Sequence, residues 1–220
     1  MNVNRTVEQL GKIGVSTLSD ALDRLGLPGA VPGVLPFDPG LRLCGRAFTG
    51  QYEPVDDSGG TVGDYIDEVA PGQIVVLDNK GRLDCTVWGD ILTYVASSRR
   101  IGGTVINGAC RDVAASLQIG YPVFACGRSM QTGKDRVRLA NINGPVRFGA
   151  VIVHPNDIVV GDADGVVVVA ARQADQVLDV AAGIDEAESR IREAVAAGER
   201  LDAARARMGY HRLQTPSESR

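Results

Sequence analysis

Trp88-Gly89-Asp90-Ile91-Leu92 and Gly108-Ala109-Cys110-Arg111-Asp112 are the two stretches on which the reading of this chain turns. The first closes a strand-like run and opens an apolar helical pattern from Asp90 to Arg100. The second follows the β-branched run Thr104-Val105-Ile106-Asn107 and leads into a second helical pattern from Val113 to Ile119, with another strand reaching Phe124. Strand, helix, strand, helix, strand at this spacing is a βαβ-like unit. Asp90 and the Arg111-Asp112 pair therefore fall at strand-to-helix turns, where α/β folds gather their ligands.

Outward from this unit, the upstream half carries the signals of mixed structure. Ser16 to Gly26 predicts a helix: a capping hydroxyl opens it, Leu18, Ala21, Leu22 and Leu25 recur at helical spacing, and Gly26 closes it. Leu41 to Gly50 alternates and predicts a strand, Val62 to Val69 a helix ending at Pro71-Gly72, and Ile74-Val75-Val76-Leu77 a buried strand before a turn at Asp78-Asn79-Lys80-Gly81. Downstream the helical period disappears. Short strands are predicted at Val137 to Ile142, Val146 to His154, Ile158 to Val160 and Val166 to Ala170, separated by Asn-Gly, Pro-Asn and Asp-Gly turns. A long amphipathic helix from about 173 to 207, broken near Gly183 and Gly198, closes the chain. The expected fold is α/β, a layered β/β/α build with a C-terminal helical arm, in one domain spanning 1–220 with its core at about 16–170.

The 220 residues suffice for a full core, and 23 Lys+Arg against 27 Asp+Glu give a formal net charge of −4. With no basic run or basic-aromatic stripe, a nucleic-acid surface is not expected. No apolar stretch approaches a bilayer span and Met1 to Arg5 lacks the apolar segment of a signal peptide, so a cytoplasmic location is expected. Cys44, Cys85, Cys110 and Cys126 form no CxxC pair and read as small buried thiols. Two histidines, His154 and His211, argue against a histidine-rich metal centre.

Chemistry concentrates at the two turns. If Asp90 begins a helix, the free N–H groups from Gly89 to Leu92 can cradle a carboxylate or phosphate, and Gly89 lets a ligand approach the main chain; the plain alternative is that Asp90 caps the helix. Arg111 can grip a carboxylate or keto oxygen with two donors, and Asp112 can offer one hard oxygen to Mg²⁺; the alternative is a surface ion pair. Other candidates carry less. Asp162-Ala163-Asp164-Gly165 resembles the start of a calcium loop but runs straight into four valines, so a hairpin turn is expected. His154, before Pro155, is read as an exposed turn residue, Cys110 as packing and Trp88 as core. Gly59-Gly60-Thr61-Val62-Gly63-Asp64 has neither the lysine nor the spacing of a phosphate-binding loop.

Taken together, Ser19 to Gly26, Trp88 to Leu92, Gly108 to Val113 and Asp157 to Val169 resemble the class II pyruvate aldolases acting on 4-hydroxy-4-methyl-2-oxoglutarate and 4-carboxy-4-hydroxy-2-oxoadipate, a family that includes the RraA-type regulators of ribonuclease E. The resemblance covers about Ser16 to Ala170. Asp90, with twenty residues between it and Arg111-Asp112, matches the aldolase members' Asp-x20-Arg-Asp signature. By that resemblance Asp112 is the direct Mg²⁺ (or Mn²⁺) ligand, Asp90 holds a metal-bound water, Gly89, Asp90, Ile91 and Leu92 bind substrate, and Arg111 contacts the pyruvyl oxygens. It also implies a homotrimer or hexamer with the site between subunits. A glutamate of the neighbour's C-terminal helix would reach the metal's water shell, Glu188 being the preferred match and Glu186 the next.

The implied reaction is retro-aldol cleavage releasing pyruvate, with oxaloacetate decarboxylation as a side activity because both pass through the pyruvate enolate. No lysine lies in these motifs to form an imine, which favours a metal-dependent route. Asn107-Gly108-Ala109-Cys110 departs from the Asp-Gly-Gly-Val common in the aldolases, a change nearer to substrate choice than to the metal. The competing class is a non-catalytic RraA-type regulator docking on a ribonuclease, which generally keeps Arg-Asp but lacks the upstream acid. An older label for the family, demethylmenaquinone methyltransferase, finds no glycine-rich nucleotide loop here. An enzyme of the same chemistry acting on another 2-oxo acid is the third alternative.

Overall fold

The structure, a computed structural model, describes residues 3–56, 62–213 and 215. Its framework is a parallel run of four strands: β3 (Leu43–Pro54), β4 (Ile74–Thr86), β5 (Gly103–Cys110) and β6 (Val123–Arg128), each paired in parallel with the next. Helix α3 (Asp90–Ser98) makes the crossover from β4 to β5, and α4 (Val113–Ile119) that from β5 to β6. The predicted βαβ unit is present, and both turns fall at the carboxyl ends of neighbouring parallel strands.

Antiparallel strands complete the sheet. β10 (Ile158–Asp162) pairs with the start of β3 and with β11 (Gly165–Val169), β1 (Ala30–Val31) adds to β11, β2 (Leu35–Pro36) to β6, and β7 (Val137–Ile142) to the far half of β3. The period-2 alternation divides the side chains between two faces. Ile74, Val76, Val105, Phe124, Val159 and Val168 point toward the hairpin β8 (Val146–Phe148) and β9 (Val151–Val153), packing on its Phe148 and Val153. Val75, Leu77, Ile106 and Val123 pack on the other face with Trp88, Ala96 and Tyr121. Beside them, Ile158, Val160, Val167 and Val169 bury Leu18, Leu22, Val177 and Ile184 of α2 (Val15–Leu25) and α5 (Ala174–Ala196), with Leu10 of α1 (Val3–Leu10). Hairpin, sheet and helices form the expected β/β/α layers.

Several boundaries differ from expectation. Helix α2 starts at Val15 after Gly14, and no side chain caps it, so Ser16 is helical and not the cap. The helix expected from Val62 to Val69 is a five-residue 3-10 turn, Asp64–Glu68, and Gly59 to Thr61 lie outside the described residues. The turn expected at Asp78 to Gly81 lies inside β4. Lys80 and Gly81 take positive φ there (55° and 70°) while the strand resumes pairing with β5, a wide bulge where a turn reading is locally correct. The strand expected from Val146 to His154 is folded back at Gly149 (φ 59°) into the β8–β9 hairpin. Helix α5 runs unbroken through Gly183, whereas Gly198 (φ 95°) does separate it from α6 (Leu201–Arg207). Helix α1 went unpredicted. As expected, Asp162 to Gly165 form the β10–β11 turn, with Asp162 accepting from Asp164 N–H at 3.0 Å.

The seam between β3 and the turn before β4 depends on Gly45, where a Cβ would stand 2.3 Å from the Gly72 carbonyl and 3.1 Å from Ile74 Cγ1. Backbone cannot yield as a side-chain tip can. Gly45→Ala is expected to lower stability by about 1–3 kcal/mol in urea unfolding, and a parent-like midpoint would show that the seam relaxes freely.

Candidate active site

Helix α3 begins where β4 ends, and its first turn is held from within. Thr93, almost fully buried, accepts a hydrogen bond from Trp88 Nε1 at 2.9 Å and donates its own hydroxyl to the Gly89 carbonyl at 2.9 Å. Trp88 stacks on Tyr121 with ring centroids 6.1 Å apart. The aromatic core thus fixes the residue just before Gly89, confirming Trp88 as a core residue.

The second turn is brought against the first. Arg111 N–H donates to the Trp88 carbonyl at 3.1 Å, Arg111 Nε lies 3.2 Å from Asp112 Oδ2, and the same oxygen accepts from Asp90 N–H at 3.3 Å. A Cβ on Gly89 would stand 2.7 Å from Asp112 Oδ2 and 3.1 Å from Arg111 Nε. Glycine is required at 89 for this contact; its backbone is extended and needs no special conformer. Gly89, Asp90, Arg111 and Asp112, named from sequence, do converge, although twenty residues separate the two turns.

Asp112 sits at the N-cap of α4 with φ 56° and ψ 35°, in the left-handed region, and makes no capping hydrogen bond. A non-glycine residue held in that region while forgoing its cap is a local cost retained by the surrounding structure. Here the carboxylate faces Gly89 and Arg111 in place of its own helix.

The N–H cradle expected from Gly89 to Leu92 is partly filled by the chain itself. Asp90 N–H goes to Asp112, and Ile91 N–H donates to Asp90 Oδ1 at 2.8 Å. These two contacts leave the Leu92 N–H uncommitted. Asp90 is thus both a local helix-start acceptor and a group with one oxygen, Oδ2, still available.

A cleft of about 710 Å³ opens over these turns. Besides Gly89, Asp90, Ile91, Leu92 and Arg111 it is lined by Asp64 and Asp67 of the 3-10 turn and by Thr132 and Lys134 of the loop after β6. Neither segment was anticipated. The loop after β6 carries no motif of its own, and only the parallel pairing of β4, β5 and β6 brings its start beside the other two turns. Asp112 is not itself a lining residue; it lies against Gly89 and Arg111, with about two fifths of its side chain exposed.

Asp112 and Asp90 offer hard oxygens. Asp112 Oδ1 and Asp90 Oδ2 make no hydrogen bond among the described residues, and no group of three or more His, Cys, Asp or Glu suited to a metal occurs among them. Such a donor set fits Mg²⁺ or Mn²⁺, which take one or two carboxylates and fill their other positions with water, and does not fit a thiolate or imidazole zinc site. Glu188 is not brought to the site of its own chain. It lies on α5, which packs on α1, α2 and α6, and pairs with Arg192 at 3.5 Å; Glu186 pairs with Arg190 on the same helix. Cys110, beside the site in sequence, is buried, and burial, then the nearby Asp112 charge, push its thiol up to about 12. It serves as a packing residue in the core beneath the site. His154 is exposed at its turn, as expected.

The RraA-like family model (Aldolase/RraA) matches residues 15–168, and the chain belongs to that family. It is 38% identical over 202 residues to Protein DlpA of Legionella pneumophila, covering 90% of this chain but only 33% of that one, so the chain spans about a third of that relative's length. It is 35% identical over 177 residues to the "Putative 4-hydroxy-4-methyl-2-oxoglutarate aldolase" of Halalkalibacterium halodurans, covering 80% of this chain and 81% of that one. Among solved structures, an uncharacterised protein of Pseudomonas syringae pv. tomato superposes with TM-score 0.86 at 40% identity, covering 92% and 97% of the two chains. The fold is accordingly RraA-like.

Because Asp112 holds a left-handed backbone without capping, Asp112→Gly is expected to unfold in urea within about 1 kcal/mol of the parent, or later, as the strain is removed. A large loss of stability would mean that the Asp112 contacts hold the fold. Iodoacetamide at pH 8 is expected to leave Cys110 unlabelled in the folded protein and to label it on unfolding, read by peptide mass spectrometry. Burial, then the Asp112 charge, holds its thiol protonated at that pH, so rapid native labelling would place it in an open, activated setting.

Proposed function

We propose that this protein is a divalent-metal-dependent carbon–carbon lyase. It would cleave a 4-hydroxy-2-oxo acid such as 4-hydroxy-4-methyl-2-oxoglutarate to pyruvate and a second carbonyl product, and decarboxylate oxaloacetate as a side activity. One observation carries the reading: an acid, Asp90, stands beside the Arg111-Asp112 pair, joined to it through the Asp112 carboxylate. The aldolase name borne by the Halalkalibacterium halodurans relative supports the substrate class.

In retro-aldol cleavage the C4 hydroxyl loses its proton, the C3–C4 bond breaks, and its electron pair moves onto the C2 carbonyl to give the pyruvate enolate, which is then protonated at C3. Asp90 Oδ2, which makes no hydrogen bond among the described residues, would take up the hydroxyl proton through a water. Arg111, held by Trp88 and Asp112, presents donors to the C1 carboxylate and to the C2 oxygen as charge grows there. The uncommitted Leu92 N–H offers a further donor at the helix start. Asp112 would bind the metal directly, with Asp90 at its water shell, and the bound cation would supply Lewis-acid stabilisation of the same oxygen. Ile91 and Tyr94 on the outer side of α3 are strongly exposed apolar groups beside the cleft, 73% and 68% accessible. They suit a homotrimer or hexamer with the site between subunits, to which Glu188 of a neighbouring copy would contribute.

Pyruvate release from 4-hydroxy-4-methyl-2-oxoglutarate and from oxaloacetate, measured with Mg²⁺ and with EDTA, tests the reading. Release that EDTA abolishes and Mg²⁺ restores is expected, with Asp112→Asn inactive and Arg111→Ala reduced about 10²–10³-fold in rate. Full activity in EDTA, or in Asp112→Asn, would overturn the site assignment. Absence of release from both substrates would favour a non-catalytic regulator.

A further inference from the structure

Thr93 is buried on α3 and does not line the cleft. Its hydroxyl nevertheless donates at 2.9 Å to the Gly89 carbonyl, which also takes the Thr93 N–H at 3.0 Å. A helical threonine commonly bonds back to the carbonyl four residues earlier, and by itself that contact would only satisfy a hydroxyl. Here the peptide it engages is the one that faces the second turn.

The Gly89–Asp90 peptide is trans, so its C=O and N–H point in opposite directions within one plane. Two donors from Thr93 hold the carbonyl end. The other end, Asp90 N–H, is thereby turned toward Asp112 Oδ2, which accepts from it at 3.3 Å. A second donor on a carbonyl also polarises the amide and strengthens its N–H. The direction of the Thr93 hydroxyl is itself fixed. An indole N–H can only donate, so the hydroxyl accepts from Trp88 Nε1 at 2.9 Å and its own hydrogen is left to Gly89. Trp88 is held in turn by its stack on Tyr121, whose hydroxyl lies 3.0 Å from Thr104 Oγ1. Asp112 Oδ2 is thus occupied by Asp90 N–H and Arg111 Nε, while Oδ1 makes no hydrogen bond among the described residues.

Resting on the function proposed above, we infer that Thr93 is a positioning residue for the Asp112 carboxylate, acting through the Gly89–Asp90 peptide. It orients and strengthens the N–H that ties down Oδ2 and leaves Oδ1 for the cation. Thr93 itself touches neither substrate nor cation.

The test compares parent, Thr93→Val and Thr93→Ser for Mn²⁺ binding by calorimetry and for pyruvate release from 4-hydroxy-4-methyl-2-oxoglutarate. Thr93→Val keeps the shape and removes the hydroxyl. It is expected to weaken Mn²⁺ about 10- to 100-fold, the usual loss when a hydrogen-bond partner behind a metal ligand is removed. It should also lower kcat at saturating Mn²⁺ with little change in KM, and Thr93→Ser should restore most of both. Trp88 is the one tryptophan of the chain, so its indole N–H gives a single cross-peak in a ¹H–¹⁵N spectrum. That peak should move in Thr93→Val and stay near its parent position in Thr93→Ser. Because Thr93→Val strands the indole N–H, the same change is also made in a Trp88→Phe background, where only the bond to Gly89 is lost. The weakening of Mn²⁺ should recur there, measured against Trp88→Phe alone. Unchanged Mn²⁺ affinity in folded Thr93→Val would overturn the inference and leave the lyase reading untouched. So would a loss that vanishes in the Trp88→Phe background, since the hydroxyl would then serve only the indole. Weakened Mn²⁺ binding in a protein that releases no pyruvate would keep Thr93 in its positioning role and remove the lyase reading.

Discussion

Everything at the candidate site depends on the parallel pairing of β4 with β5. Parallel neighbours point the same way, so the chain leaves both strands at one edge of the sheet and enters two helices side by side. At that edge Gly89 meets the Asp112 carboxylate, a contact too close for any side chain at 89. Remove the parallel pairing and Asp90 is a helix-start acid, Arg111-Asp112 a surface dipeptide. With it, one carboxylate oxygen bonds to both turns.

The sheet can hold this arrangement because both of its faces are covered. The β8–β9 hairpin buries one, and helices bury the other in two clusters, one under the cleft and one against β10 and β11. Rigid support lies nearest the chemistry: Trp88, Tyr121 and Thr93 lock the residues before and within the first turn of α3. One of the non-glycine residues that the fold holds at positive φ sits at the site. Asp112 is left-handed, uncapped and aimed at another turn, the pattern expected where a backbone is held for function and not for its own stability.

The cleft joins groups of different origin. Arg111 and Asp90 belong to recognisable motifs, whereas Asp64, Thr132 and Lys134 come from segments with no signature in the chain. Their contribution follows from topology, since the loop after β6 starts at the same edge as the turns after β4 and β5 and is fastened there through Thr86. A reading confined to motifs finds no lysine near the chemistry. The folded chain has one on the rim.

Local patterns were legible wherever one physical signal dominated. Continuous runs rich in valine and isoleucine marked β4, β5, β10 and β11, helical spacing marked α2 to α5, and the Asp-Gly pair at 164–165 marked a hairpin, because burial and backbone conformation act there within a few residues. The signal failed where distant pairing overrode it. Lys80-Gly81 looks like a turn and is a bulge, since β5 continues the ladder past it; Gly183 looks like a break and is not, since α5 packs across it on α1 and α2. The sequence alone determined the element types and the acids and arginine of the two turns, whose spacing is a covalent fact. Which turns meet, which carboxylate oxygens stay free and which lysine joins them were decided only by tertiary structure, because these are contacts between segments that chain order does not bring together.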